Sequence, residues 1–106
     1  MLTPEDNELL CRIAEKSPMG QMVRRYWMPA LFSKEIERDS HPVRVRLMGE
    51  DLVAFRDSNG DVGLIQELCP HRGASLFLAR NEECGLRCLY HGWKFDVSGR
   101  VIEMPT

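Results

Sequence analysis

The sequence predicts a mainly β domain of small antiparallel sheets with two ligand-bearing loops, preceded by a short N-terminal helical arm. Three observations predict it. Short apolar–polar alternations recur from residue 43 onward, as half-buried strands require. Asp57-Ser58-Asn59-Gly60 sits between two such runs and is a strong hairpin signal. Helical spacing of apolar residues is confined to the first third of the chain.

Taken in order, Thr3 is placed to cap a first helix, Pro4 suits its first position, and Asp6 makes a weaker capping box. Leu9, Leu10, Ile13 and Ala14 form one apolar stripe, so the helix is expected through about Lys16. Ser17-Pro18 restarts a short helix to about Arg25, and residues 26–31 read as extended because Pro29 disfavours the α region before it. Val43, Val45 and Leu47 mark a strand; Gly49-Glu50 turns into a second over 51–56, and 62–67 returns as a third. Strands are further expected at 85–89, 93–96 and 101–104, with Ser98-Gly99 turning between the last two. The expected division is a helical arm at 1–31 and one β domain at 32–106.

A chain of 106 residues holds one modest core. Fourteen Lys and Arg against sixteen acids leave a net charge of −2, so nothing points to nucleic acid. The acidic start is no signal peptide, and no apolar run approaches the roughly 20 residues that span a bilayer. Four cysteines without an export signal suit a reducing compartment, where thiols more often bind metal than pair. The expectation is a soluble, cytoplasmic protein that uses neither nucleic acid nor membrane.

The chemistry-bearing pattern is Cys69-Pro70-His71 and Cys88-Leu89-Tyr90-His91, with sixteen residues between His71 and Cys88. Each segment offers one thiolate and one imidazole. Two Cys on one iron and two His on the other is the donor set of a Rieske [2Fe–2S] cluster, and it makes the cluster easier to reduce than an all-Cys centre. Two Cys and two His also make a structural zinc site, but zinc fingers usually group the two Cys in one motif and the two His in another. The mixed order favours the cluster over zinc, and over four residues with no metal at all.

The flanks sharpen this. Cys69-Pro70-His71-Arg72-Gly73-Ala74-Ser75-Leu76 with Cys88-Leu89-Tyr90-His91-Gly92-Trp93-Lys94-Phe95-Asp96 closely resembles the N-terminal Rieske domain of aromatic-ring-hydroxylating oxygenases. Pro18-Met19-Gly20 and Arg24-Arg25-Tyr26-Trp27-Met28-Pro29-Ala30 extend the resemblance to the phthalate 4,5-dioxygenase branch. The resemblance implies a Rieske-type fold in which Cys69 and Cys88 hold one iron, and His71 and His91 hold the outer, reducible one. It also implies that reduction is coupled to protonation of those imidazoles. High-potential respiratory relatives carry an extra Cys in each ligand loop, joined as a disulfide, and a serine after the second loop's glycine. Here those places hold Ala74, Tyr90 and Trp93, which predicts the low-potential type.

Gly73 and Gly92 are expected in tight turns. Tyr90, Trp93 and Phe95 are expected to pack in the core or shield the cluster. Arg72 and Lys94 are expected as surface charges, with docking of an acidic donor as the alternative. Cys11 and Cys84 are expected as buried or half-buried structural thiols, and His41 as solvent-facing.

Ring hydroxylation needs a mononuclear Fe(II) on two His and a carboxylate. Three histidines, two of them committed, cannot supply it. The resemblance therefore implies that this iron sits in a catalytic domain outside these residues, and that the chain is a fragment. It implies a parent that is a homotrimer, takes electrons from a flavin/iron–sulfur reductase and hydroxylates an aromatic acid with O₂. The isolated chain is expected to take up electrons without turnover. A free-standing Rieske ferredoxin is the other reading, and the arm argues against it.

Overall fold

The structure, a computed structural model, describes residues 1–105. Helix α1 spans Pro4–Cys11, with the Asp6 N–H donating to the Thr3 hydroxyl at 3.1 Å. It stops short of Lys16 because Arg12 turns to extended backbone; just beyond, the Ser17 hydroxyl lies 2.7 Å from the carbonyls of both Arg12 and Ala14, and Pro18 has no N–H to continue the helix. The same hydroxyl accepts from the Gly20 N–H and caps α2, Pro18–Val23. Gly20 is buried where a Cβ would lie 1.9 Å from the Ala14 carbonyl oxygen, so only glycine fits this crossing. The apolar stripe of α1 is not buried: Leu9, Leu10 and Ile13 are exposed. Arg24 ties the arm to the β domain, donating to the carbonyls of Ile13 and Met48 and pairing with Glu50 at 2.8 Å.

The first sheet is antiparallel in the order β1 (Val43–Leu47), β2 (Glu50–Arg56), β3 (Val62–Gln66). Its first turn is Met48-Gly49, both at positive φ (54° and 77°), one residue earlier than the sequence suggests. The second sheet is antiparallel in the order β4 (Arg80–Glu82), β5 (Gly85–Arg87), β6 (Lys94–Phe95), β7 (Val101–Glu103). Strand β4 was not expected. Arg-Asn-Glu has no apolar alternation, and its turn to β5, Glu83-Cys84, takes positive φ (49° and 62°) without glycine or asparagine.

Two hairpins share one design. In each, an Asp accepts from the backbone N–H groups two and four residues on, and the Gly N–H returns to the Asp carbonyl. Asp57 does this with Asn59, Asp61 and Gly60, and Asp96 with Ser98, Arg100 and Gly99. The sheets meet over a core containing Val53, Phe55, Leu76, Leu86 and Phe95, all at most 2% exposed. Asn81 fastens one sheet to the other, donating to the carbonyls of Ser40 (2.9 Å) and Arg56 (2.8 Å). The fold is thus mainly β, with two small antiparallel sheets and a short helical arm.

Candidate metal centre

The two ligand loops follow β3 and β5 and are built on one backbone frame. The Cys69 N–H donates to the Ala74 carbonyl (2.8 Å) and the Gly73 N–H to the Cys69 carbonyl (2.8 Å). The Cys88 N–H donates to the Trp93 carbonyl (2.8 Å) and the Gly92 N–H to the Cys88 carbonyl (3.1 Å). Both glycines take positive φ, 75° and 79°, a conformation a Cβ would strain. Within this shared frame the histidines are offset by one place: His71 stands two residues after its Cys, His91 three.

Both cysteines are 3% exposed and join the core, while both histidines are half-buried nearer the surface. Burial pushes the Cys69 thiol up from its usual range; the N–H groups of His71 and Arg72 work against this, and the neighbouring Cys88 adds to it. Two thiolates held here need a cation to compensate them. The imidazole rings of His71 and His91 lie 4.6 Å apart, edge to face, and Tyr90 stands 4.0 Å from the His91 ring. Burial, then His91, then Arg72 hold the His71 ring toward its neutral form, the form that ligates metal. His91 Nδ1 is buried with no hydrogen-bond partner, an orphaned lone pair that a metal ion would satisfy.

Two buried thiols and two half-buried imidazoles are a donor set that fits a binuclear iron–sulfur group.

Each loop has an outer brace that the sequence did not reveal. Ser75 donates to Glu67 at 2.6 Å and Arg44 pairs with Glu67 at 3.3 Å, fixing the base of the first loop. Arg87 reaches from the end of β5 to the Gly92 carbonyl at 2.7 Å in the second. Both braces are contacts across sequence, with no local motif to announce them.

The neighbours sort as follows. Phe95 is core, Trp93 is half-buried against it, and Tyr90 is exposed. Arg72 and His41 are exposed as expected. Lys94 is not a surface charge: it is 3% exposed and its ammonium donates to the Glu83 carbonyl at 2.7 Å. Cys84 is half-buried, but Cys11 is exposed on α1, contrary to expectation, because that helix buries no residue. All four cysteines are free.

Two small sheets presenting paired Cys/His loops define an iron–sulfur electron-transfer domain. Residues 26–106 match the Rieske [2Fe-2S] domain, and the chain belongs to that family. The chain is 61% identical over its whole length to the phthalate 4,5-dioxygenase oxygenase subunit of Pseudomonas putida. It is 53% identical, again over its whole length, to the 3-chlorobenzoate-3,4-dioxygenase oxygenase subunit of Comamonas testosteroni. It spans 24% of each of these relatives. The crystal structure of apo dicamba monooxygenase superposes with a TM-score of 0.73 at 30% identity, over 79% of this chain and 26% of that one. Among the described residues no helix is long and apolar enough to cross a membrane.

Proposed function

We propose that Cys69, Cys88, His71 and His91 hold a Rieske [2Fe–2S] cluster, with the two thiolates on one iron and the two imidazoles on the other. The cluster, when bound, takes up and gives back one electron at a time. One observation carries this reading: two loops on one backbone frame carry two buried, neighbouring thiols and two imidazoles whose rings lie 4.6 Å apart, one of them with an orphaned buried nitrogen.

The residues divide the work by depth. Cys69 and Cys88 anchor the group from the core, excluding water from its inner face. His71 and His91 stand at the outer face, where half-exposed imidazole edges give an electron a short way in and out. Tyr90 and exposed Leu89 make the rim beside them a surface suited to transient contact.

Similarity along the whole chain to oxygenase subunits supports a place in a larger protein. In that protein residues 1–31 form an arm and 32–106 the electron-transfer domain, which delivers electrons from a flavin/iron–sulfur reductase to a mononuclear non-haem iron in a separate catalytic domain. That iron would use O₂ to hydroxylate an aromatic acid in a cytoplasmic homotrimer. The low-potential type follows from Ala74, Tyr90 and Trp93, which leave no inter-loop disulfide and no serine donor.

The test is direct. The chain, loaded with iron and sulfide, should carry about two of each, absorb in the visible and give a reduced-state EPR signal. Cys88→Ser and His91→Ala should each abolish all three. Its midpoint potential at neutral pH should fall near the low end of the Rieske range, about −150 mV. A zinc-loaded, EPR-silent protein would overturn the ligand assignment, and a strongly positive potential would overturn the low-potential type.

A further inference from the structure

Arg87 ends β5 immediately before Cys88, and its side chain is only 17% exposed. One guanidinium N–H donates to the Gly92 carbonyl at 2.7 Å. The other arm pairs with the Glu103 carboxylate on β7, and Nε lies 4.0 Å from Glu82. Gly92 directly follows His91, so this side chain fastens the far end of the second loop to the strand that begins it. Glu103 sets the guanidinium's angle from β7, the edge strand of the same sheet. A bidentate, planar cation is the group suited to hold a carbonyl and a carboxylate at once.

We propose that Arg87 is a positioning residue for the His91 half of the site. By fixing the Gly92 carbonyl it holds the His91 ring edge-on to His71. Its charge, partly balanced by Glu103, also favours the more negative, reduced state of the site. The inference rests on the reading that Cys69, His71, Cys88 and His91 hold a [2Fe–2S] cluster. Removing the cation should disfavour the reduced state, and removing the carboxylate should favour it. A brace that only maintained the fold would not give shifts of opposite sign.

The experiment uses the 106-residue chain loaded with iron and sulfide and titrated with dithionite. Cluster content, reduced-state EPR and midpoint potential are read for the wild type and for Arg87→Gln, Arg87→Lys and Glu103→Gln. Arg87→Gln should broaden the EPR signal and lower the potential. Arg87→Lys should restore the potential more than the line shape, because an ammonium supplies the charge but cannot make both bonds. Glu103→Gln, at a side chain 51% exposed, should fold normally and raise the potential, which decides the matter even if Arg87→Gln cannot hold a cluster. Arg87→Gln with unchanged EPR and potential, or a Glu103→Gln potential that falls or stays put, overturns the inference while leaving the ligand assignment standing. A wild-type chain that binds no cluster overturns the assignment, and the inference with it.

Discussion

His71 and Trp93 stack face to face, their ring centroids 4.3 Å apart and their planes 3° from parallel. The two residues come from different ligand loops, so the second loop sets the plane of the first loop's imidazole. Trp93 in turn packs on the core beside Phe95 and Cys88. The stack is a rigid link from the core to a residue nearer the surface.

Removing that link should loosen His71 without unfolding the domain. Trp93→Phe keeps a ring to stack and should cost less than the roughly 1 kcal/mol that an aromatic pair is worth. Trp93→Leu should cost more and broaden the reduced-state EPR signal as the imidazole plane becomes variable. Thermal melts and EPR on the two variants check this. A Leu variant whose spectrum matches the wild type would refute the orienting role.

Most of the candidate site is legible in the sequence because its proposed donors sit in two short segments of unusual composition. Cys69, His71, Cys88 and His91 announce themselves by residue type and spacing, and Gly73 and Gly92 by the turns those loops require. The hairpin at Asp57–Asp61 was equally legible, since Asp and Gly at its ends specify its hydrogen bonds locally. What escaped depends on distant partners. Strand β4 is held in place because Asn81 reaches across to the carbonyls of Ser40 and Arg56, which no local pattern encodes. Helix α1 ends early because the backbone turns extended at Arg12, and Ser17, five residues on, bonds the carbonyls just past the helix.

Gly63 should resist any side chain. A Cβ there would lie 2.8 Å from the Phe55 ring and 2.9 Å from the Val97 backbone, which belongs to the β6–β7 hairpin of the other sheet. The ring can shift a little, but the Val97 backbone is held by the hydrogen bonds around Asp96. Gly63→Ala is therefore expected to cost about 1–3 kcal/mol by overpacking. Urea unfolding should show a lower midpoint with an unchanged slope.

The Asp96 hairpin should make stability fall in acid. The Ser98 hydroxyl (2.6 Å) and the N–H groups of Arg100 and Ser98 hold the Asp96 carboxyl below the usual range, against the opposing effect of burial. A depressed folded pKa contributes stability that is present above the ordinary carboxylate value and lost as pH falls through the folded one. Asp96→Ala should be less stable than wild type at neutral pH by on the order of 1 kcal/mol. That gap should close as pH drops below the ordinary aspartate range. Paired melts from neutral pH into acid test it, and a gap that widens in acid would show the sign to be wrong.

Lys94 separates a structural cation from a docking one. Its stem lies against Gly85, where a Cβ would come within 2.6 Å of the Lys94 Cε, and its ammonium caps the Glu83 carbonyl. The Glu83-Cys84 turn carries two non-glycine residues at positive φ, a costly conformation that this bond and the Cys84 N–H to Ser58 (3.0 Å) help to hold. Lys94→Met keeps the stem and removes the ammonium. Because water can reach the Glu83 carbonyl once the ammonium is gone, the expected loss is modest, about 1–2 kcal/mol. In a domain of this size that lowers the melting temperature by roughly 4–16 °C. Reduction by an acidic iron–sulfur donor, measured well below the melt, should keep its rate constant, since the buried charge meets no partner. Arg72, exposed between His71 and Gly73, is the basic residue whose loss should slow that reduction, and more so at low salt. If Lys94→Met slowed it as much as Arg72→Gln, Lys94 would act in docking after all.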